Sequence, residues 1–351
     1  MLHFLSIEND LKYPVNTDNK GVLHMENRKR CSKRPWIGLV TGLTFIFLSS
    51  AAAQQIEPEV PFVPTPEKVV AEMLKMAQVG KDDVLYDLGC GDGRIVITAA
   101  KEFGCRGVGI DIDPQRIRES RKNAIKAGVA DKVQFIQMDL FEAEISEATV
   151  VTLYLLSEVN LRLRPKLLRE LNPGTRVVSH EFSMGEWEPD ASSSVKTGDA
   201  KDPQVLDYWD PNIADYWDLH NVYFWIIPGN VMGTWKLEIP DVSGKKEYTL
   251  KFEQVFQQVR GEAFEGSSSI PVFIMDDKIK GNTLQFILER KLKGRTERLH
   301  FEGSMQGNTM QGTMKIEGSP GTNKIQWTAR RVLSTLRSII ASRNWGLFTL
   351  N

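Results

Sequence analysis

The stretch VLYDLGCGDGR, from Val84 to Arg94, decides the fold of this chain. A short run of β-forming residues ends in an acid, and three alternate glycines then lead into a helical pattern. Gly89, Gly91 and Gly93 permit a tight turn and let the backbone approach a ligand at the N-terminus of that helix. The G-x-G-x-x-G spacing of a dinucleotide site and the Gly-Lys-Ser/Thr ending of a P-loop are both absent. The stretch therefore predicts a nucleotide-binding turn of another kind.

The residues on either side of this turn alternate between short apolar runs and longer amphipathic stretches. In chain order the segments are VLYDL, RIVITAAKEFG, GVGIDI, PQRIRESRKNAIKAG, VQFIQMD, VVTLYLL, EVNLRLRPKLLREL and TRVVSHEF. This alternation predicts an α/β core with a mostly parallel sheet and helices on both faces, running roughly from Pro61 to Phe182. Ligands of such sheets lie past the carboxyl ends of the strands.

Acids stand at the ends of three consecutive predicted strands. Asp87 precedes the glycine turn, where a carboxylate favours a cationic amine over a pyrophosphate. Asp111 closes GVGIDID, in the position from which a carboxylate accepts the hydroxyls of a ribose. Asp139 closes VQFIQMD, within reach of an adenine amino group. The predicted ligand is a positively charged nucleoside.

DLGCGDGR, GIDIDP and the Met138-Asp139 strand end resemble the successive motifs of class I S-adenosylmethionine (SAM) dependent methyltransferases. The resemblance implies SAM as cofactor and a seven-strand Rossmann-like core. By this likeness Asp87 and Gly89 hold the methionine moiety, Asp111 the ribose, and Met138 and Asp139 the adenine. Gly91 and Gly93 complete the turn.

Two flanking pieces carry a closer resemblance. PFVPTP and VVTLYLLSEVNLRLRPKLLRELNPGTRVVSHEF are similar to the membrane-associated protein-lysine methyltransferases that modify mitochondrial carrier and ATP synthase subunits, and to their bacterial relatives. This implies a protein lysine as the favoured acceptor and a segment folded over SAM, formed by Pro61, Phe62, Pro64 and Thr65. Thr65 is also expected to cap the first helix.

A lysine acceptor must lose a proton before attack, since the pKa of a free lysine is ~10.4. Desolvation in an aromatic slot assists that loss. Tyr154 is the first candidate for the wall of the slot, and Glu158 and Glu181, with His180, are candidates to orient the amine or relay its proton. The alternative for Tyr154 and His180 is a structural role in the core. No metal is expected.

The remainder of the chain follows a different pattern. Residues 188–221 are interpreted as a loop or lid with two Asp-Tyr-Trp-Asp copies, starting at Asp207 and Asp215. Residues 222–330 are predicted to form a smaller antiparallel β unit, closed as a sheet or small barrel, although VYFWIIP could instead belong to the upstream sheet. Residues 331–351 form a basic tail. The methyltransferase domain is accordingly assigned to residues 56–187.

A basic cluster ending at Arg34 precedes an uncharged stretch from Pro35 to Ile56, with Ala51 to Ala53 before Gln54. Residues 1–55 are therefore predicted to be a signal peptide with an A-x-A cleavage site or an uncleaved membrane anchor. The expected location is membrane-anchored or exported, with both alternatives open.

The charge balance bears on the partner. The chain has 44 basic and 45 acidic side chains and a net charge of -1, which provides no field for gathering nucleic acid. The sequence thus predicts a SAM-dependent methyltransferase acting on a protein or peptide lysine. A small-molecule methyltransferase, or an exported binding protein with a vestigial core, remains the alternative.

Overall fold

The computed structural model describes residues 59–198, 218–241, 244–292, 295–318 and 324–335. The first part is built from four helices and seven strands. The helices are α1 (Glu67–Met76), α2 (Arg94–Phe103), α3 (Pro114–Ala127) and α4 (Ser157–Glu170). The strands are β1 (Val84–Leu88), β2 (Arg106–Asp111), β3 (Val133–Gln137), β4 (Val150–Leu153), β5 (Arg176–His180), β6 (Ala191–Lys196) and β7 (Leu219–Ile226).

The seven strands form one sheet with the order β3-β2-β1-β4-β5-β7-β6. Strands β1 to β5 are parallel, β7 runs antiparallel to β5, and β6 runs antiparallel to β7. The methyltransferase-like α/β core with a seven-strand sheet is confirmed. The strand order reverses between β1 and β4, and the carboxyl ends of these strands are where ligands bind in open α/β sheets.

The central strands are buried on both faces, as parallel strands between two helical layers must be. Every residue of β1 and β4 is buried. Leu85 packs in the apolar cluster with α1, α2 and α3, whereas its neighbour Tyr86 packs in the cluster with α4. This double burial explains why the sequence shows continuous apolar runs here instead of an alternation.

The sheet extends further along the chain than the sequence indicated. Strand β6 lies inside the segment interpreted as a loop or lid, and VYFWI, residues 222–226, belongs to β7 of this sheet, so the alternative assignment is the observed one. The β6 sequence ASSSVK is mostly exposed, because the strand lies at the sheet edge. Its polar residues show no apolar pattern from which a strand could be predicted. A domain end at residue 187 is therefore too early. The first Asp-Tyr-Trp-Asp copy lies outside the described residues, as does the second apart from Asp218.

Strands β8 to β15 form a closed barrel with the order β10-β11-β12-β13-β14-β15-β8-β9. Of the two forms expected for the antiparallel unit, a sheet or a small barrel, the structure has the barrel, whose closure leaves no exposed strand edge. The strands are β8 (Gly233–Asp241), β9 (Gly244–Val255), β10 (Gln258–Glu265), β11 (Val272–Lys280), β12 (Thr283–Leu292), β13 (Arg295–Gln306), β14 (Thr309–Ile316) and β15 (Ile325–Arg331). Its apolar core includes the side chains of Trp235, Phe286 and Trp327.

The two ends of the chain are largely beyond what the structure describes. The predicted signal or anchor segment lies outside the described residues, and so does the tail after Thr335. Arg331, placed at the start of the basic tail, is the last residue of β15. Of the described helices, none combines the length and apolar character needed to cross a bilayer.

The barrel contacts the α/β core through the turn between β9 and β10. Phe256 stacks on Trp187, with ring centroids 5.7 Å apart, and is buried in the core cluster that includes Trp225. The indole N–H of Trp225 donates to the carbonyl of Trp187 at 2.8 Å. Phe256 is thus a barrel residue whose burial depends on the α/β core.

Candidate active site

The glycine turn after β1 is tied to the end of β2. The amides of Gly89 and Cys90 both donate to the carbonyl of Ile110, at 2.8 and 2.9 Å. The amide of Gly91 donates to one carboxylate oxygen of Asp111 at 2.8 Å, and the amide of Asp113 donates to the other at 2.9 Å. Asp111 therefore fixes the turn, while each of its oxygens keeps lone pairs for a further donor such as a ribose hydroxyl.

A cleft of about 220 Å³ opens above this turn, at the carboxyl ends of β1, β2, β3 and β4. The structure brings together in its lining most of the residues predicted to bind the cofactor: Pro61, Phe62, Pro64, Thr65, Asp87, Gly89, Gly91, Asp111, Met138 and Asp139. Gly93 does not line the cleft. It precedes α2 with a φ of 81°, and a Cβ there would lie 2.7 Å from the Phe135 ring, so its place in the turn is structural.

Asp87 lies at the bottom of the cleft and is almost fully buried, with 2% of its surface exposed. Burial raises its pKa from 3.8 to about 7, although the hydroxyl of Thr152 donates to the carboxylate at 2.8 Å and works in the opposite direction. The negative charges of Asp111 and Asp92 raise the pKa further. A cation bound beside Asp87 would offset this cost, which fits the amine or sulfonium of SAM.

The segment before α1 lines the cleft. The ring of Phe62 lies over Gly91, where a Cβ would come within 2.3 Å of it, and the guanidinium of Arg116 lies 4.5 Å from the ring centroid. Arg94 donates to the carbonyl of Thr65 at 2.9 Å and pairs with Asp92 at 2.7 Å. Arg94 and Arg116 were not among the predicted site residues, because nothing in the local sequence shows that they meet the covering segment.

Thr65 does not cap α1. The residue before the helix is Pro66, and no side chain caps the helix N-terminus. The hydroxyl of Thr65 instead lies 3.5 Å from Nδ1 of His180. This contact links the covering segment to the end of β5.

Met138 and Asp139 lie at the far end of the cleft, just after β3. The amide of Met138 donates to the carbonyl of Asp111 at 3.0 Å, which holds the two strand ends together. Asp139 accepts from the amide of Phe141 at 2.9 Å, and Phe141 lines the cleft beside it. Their contact with an adenine stays a prediction that this placement favours.

Tyr154 lines the opposite end, one residue beyond β4. Its ring centroid lies 3.9 Å from that of His180 and 6.3 Å from that of Phe182. Burial raises the pKa of Tyr154 to about 12, and the charge of Glu181 contributes. Burial and the neighbouring His220 lower the pKa of His180 to about 3, so the imidazole is neutral at pH 7. The wall at this end is therefore aromatic and uncharged.

The other two catalytic candidates do not line the cleft. Glu158 is exposed in the first turn of α4. Glu181 follows β5 and accepts two hydrogen bonds from Asn221, one from its amide and one from its side chain, both at 3.1 Å. Glu181 lies close to His180 and His220, and the three offer ligand atoms within 4.8 Å of one another. No metal was expected from the sequence, in which His220 is far from the other two along the chain.

The charges of the cleft fit SAM. Its lining contains six carboxylates and two guanidinium groups; the carboxylates belong to Glu59, Asp87, Asp92, Asp111, Asp113 and Asp139. Both arginines are paired, Arg94 with Asp92 and Arg116 with Asp113 and Glu119. An excess of negative charge attracts a cationic ligand and repels a phosphate.

The α/β core is similar in sequence to known methyltransferases. The sequence model of the ANTKMT methyltransferase domain matches residues 87–191. The protein-lysine N-methyltransferase of Saccharolobus islandicus is 55% identical over 142 residues, which are 40% of this chain and 88% of that protein. The human lysine N-methyltransferase of the ATP synthase c-subunit is 34% identical over 166 residues, 45% of this chain and 70% of the human protein. The barrel strands lie beyond the matched domain.

Among solved structures, the RNA methyltransferase from Salinibacter ruber in complex with S-adenosyl-L-homocysteine is 53% identical. The match covers 48% of this chain and 96% of that chain, with a TM-score of 0.41. The family assignment rests on the sequence matches, because one relative that is 55% identical is covered over 88% of its length. This chain belongs to the family of SAM-dependent protein-lysine N-methyltransferases that carry the ANTKMT methyltransferase domain.

Proposed function

We propose that this enzyme transfers the methyl group of SAM to the side-chain amine of a lysine in a protein. The single observation that carries the proposal is the pairing of an acidic cofactor cleft with an uncharged aromatic wall at Tyr154. SAM supplies the methyl group on a sulfonium, so the protein's task is to align the acceptor and exclude water.

The aromatic wall suits a lysine. Tyr154, Phe182 and His180 offer ring surface to the aliphatic stem of the side chain, and their environment is apolar enough to lower the pKa of His180 to about 3. The same environment disfavours an ammonium group and thereby promotes loss of the proton that blocks attack. We propose that Tyr154 contacts the acceptor lysine. A substitution there should therefore change turnover without changing the affinity for SAM.

The negative charge of the cleft also favours a lysine over a nucleic acid as the acceptor. RNA would bring phosphates toward a lining with six carboxylates, and both guanidinium groups there are already paired. A protein segment carrying lysine has the complementary charge. The names of the Saccharolobus and human relatives, which describe lysine methylation by those proteins, support the same acceptor.

The deciding experiment incubates the full chain with methyl-labelled SAM and a membrane-protein extract, and separately with total RNA and small metabolites. We expect label in protein, recovered as methyl-lysine after hydrolysis. Label in RNA or in a metabolite, or no transfer from an active cofactor-binding preparation, would contradict the proposal. The last result would favour a binding protein with a vestigial core.

Tyr154→Ala and Tyr154→Phe form a matched pair for the wall. The alanine variant should lower turnover with little change in SAM affinity, whereas the phenylalanine variant keeps the ring and should retain most of the turnover. Parallel losses of turnover and SAM affinity in Tyr154→Ala would instead make Tyr154 a packing residue.

We further propose that the chain is membrane-anchored or exported through its N-terminal segment, residues 1–55. The support is the basic cluster followed by the uncharged stretch from Pro35 to Ile56. Reporter fusions at Gln54 and Asn351 test the location and the side of the membrane. A fully soluble fusion that remains in the cytosol would overturn this part of the proposal.

A further inference from the structure

Three potential metal ligands converge beside Tyr154, and one of them, His180, is also part of the acceptor wall. His180 ends β5, Glu181 follows it, and His220 lies near the start of the antiparallel neighbour β7. Their ligand atoms lie within 4.8 Å of one another. Within the described residues, none of the three belongs to the lining of the cleft. The cluster is therefore a feature that cofactor binding does not use.

We propose that His180, Glu181 and His220 bind a divalent transition-metal cation, for which Zn²⁺ is the best match. Two imidazole nitrogens and one carboxylate oxygen form a ligand set that zinc accepts, with one position left for solvent. Calcium and magnesium prefer sites made of oxygen ligands, so a set with two imidazoles disfavours them.

The distance between the two rings is compatible with this coordination. Nε2 of His180 lies 3.0 Å from Nδ1 of His220. Zinc bonds to imidazole nitrogens are ~2.0–2.1 Å long, which places two such nitrogens about 3.3 Å apart at a tetrahedral angle. A widening of a few tenths of an ångström is enough, and His220 is only partly buried and can supply it.

Each of the other two ligands is held by a residue outside the cluster. The hydroxyl of Thr65 lies against Nδ1 of His180, and a proton on Nδ1 leaves the Nε2 lone pair for the metal. Both oxygens of Glu181 accept hydrogen bonds from Asn221, which orients the carboxylate and leaves lone pairs for a cation. Such supporting contacts are typical of metal ligands.

The backbone at Glu181 is a further, independent sign of a site. Its φ is 64°, a left-handed conformation that non-glycine residues adopt at an energetic cost. The amide of Glu181 donates to the carbonyl of Asn221 at 2.7 Å, which holds the residue beside β7 in this conformation. Strain of this kind persists where the surroundings require it, and functional sites are a common case.

The main experiment uses the full chain, purified without a histidine tag and stripped of metal with a chelator. Titration with Zn²⁺ in a calorimeter should show one equivalent bound with submicromolar affinity. The absence of saturable binding, or binding only at millimolar Zn²⁺, would overturn the proposal.

Variants then locate the ion. Glu181→Gln and His220→Asn should each weaken Zn²⁺ binding by about 100-fold, whereas Thr65→Val, which removes a contact that supports His180, should weaken it by about tenfold. His300→Ala is the matched control, because His300 is an exposed histidine beside a glutamate, Glu317, on the barrel. Unchanged affinity in Glu181→Gln and His220→Asn would place the ion elsewhere and refute the site.

Two checks keep the result interpretable. Glu181→Gln and His220→Asn should retain the circular dichroism of the parent and its affinity for S-adenosylhomocysteine, because neither residue lines the cleft. Co²⁺ in place of Zn²⁺ should give weak ligand-field bands only. An intense thiolate-to-metal band would assign the ion to a cysteine and overturn the proposal. The test does not depend on the acceptor, so failure of the lysine proposal leaves it intact.

Discussion

Asp87 and Thr152 face each other across the pairing of β1 and β4, and the threonine hydroxyl donates to the buried carboxylate at 2.8 Å. This is the one side-chain hydrogen bond among the influences that act on the pKa of Asp87. The carboxylate is otherwise surrounded by low-dielectric core and by two further acids. The cleft thus contains a carboxylate that is only half ionised near pH 7 until a cation joins it.

SAM affinity should therefore fall as the pH is lowered through 7. The pKa of Asp87 is about 7 without the cofactor, and a bound cation favours the ionised form, so binding below pH 7 must first release a proton. The dissociation constant should rise about tenfold per pH unit below that point and level off above it. Calorimetry from about pH 5.5 to about pH 7.5 tests this below the usual titration of an α-amino group.

Thr152→Val is the control for this dependence. Loss of the hydroxyl removes the hydrogen bond that lowers the pKa of Asp87, so the midpoint of the pH dependence should move upward. A midpoint that is the same in both proteins would mean that another group controls the binding.

Asp87→Asn should separate stability from cofactor binding. Because burial raises the pKa of Asp87 from 3.8 to about 7, the protein loses stability as the pH rises between these two values, and the full cost applies above about 7. Removal of the charge should raise the free energy of unfolding of the cofactor-free protein at pH 8 by on the order of 2–4 kcal/mol, while SAM binding is lost. Denaturant titration and calorimetry measure the two effects. A variant that is less stable at pH 8 would contradict the assigned cost.

Gly91 and Gly93 should respond differently to alanine. A Cβ at Gly91 meets the ring of Phe62, which is 43% exposed and can move aside, so the substitution should lower the free energy of unfolding only by the left-handed penalty of about 1–2 kcal/mol, while SAM affinity falls. A Cβ at Gly93 meets Phe135 and Ser120, which are both buried, and should lower the free energy of unfolding by about 2–4 kcal/mol.

Gly128→Ala is the matched control for backbone conformation. Its φ is 73°, close to that of Gly93, but a Cβ there has no neighbour within 4 Å. Gly128→Ala should lower the free energy of unfolding by only about 1–2 kcal/mol, the cost of a left-handed backbone conformation for a residue with a Cβ. Equal losses of stability at Gly93 and Gly128 would show that the predicted contact with Phe135 is harmless.

The sequence predicted the part of the site that depends on strand ends. Asp87, Asp111 and Asp139 follow apolar runs, and parallel strands bring their carboxyl ends to one sheet edge, so three positions far apart in sequence meet in one cleft. The glycine turn between them needs positive φ at successive glycines, which makes it recognisable without a structure.

The missed features depend on long-range contacts between polar residues. Strand β6 has an edge-strand sequence, ASSSVK, with no apolar period to reveal it. His220 contacts His180 only because β7 runs antiparallel beside β5. Thr65, which belongs to the covering segment before α1, contacts the same histidine. The sequence around Thr65 favours a helix cap, but in the structure its hydroxyl contacts His180 and does not cap α1.

Phe256 should couple the unfolding of the barrel to that of the α/β core. Its ring stacks on Trp187 at 5.7 Å and lies 5.1 Å from the guanidinium of Arg164, yet it stands in the barrel's own β9–β10 turn. Phe256→Ala leaves a cavity at the junction and should cost about 3–5 kcal/mol. Because that loss falls on the contact between the units, calorimetric unfolding should change from one transition to two.

Phe264→Ala is the control, since that ring is only partly buried on the barrel strand β10, where Lys251 lies over it. It should lower stability without splitting the transition, and a single shifted transition in both variants would contradict the coupling.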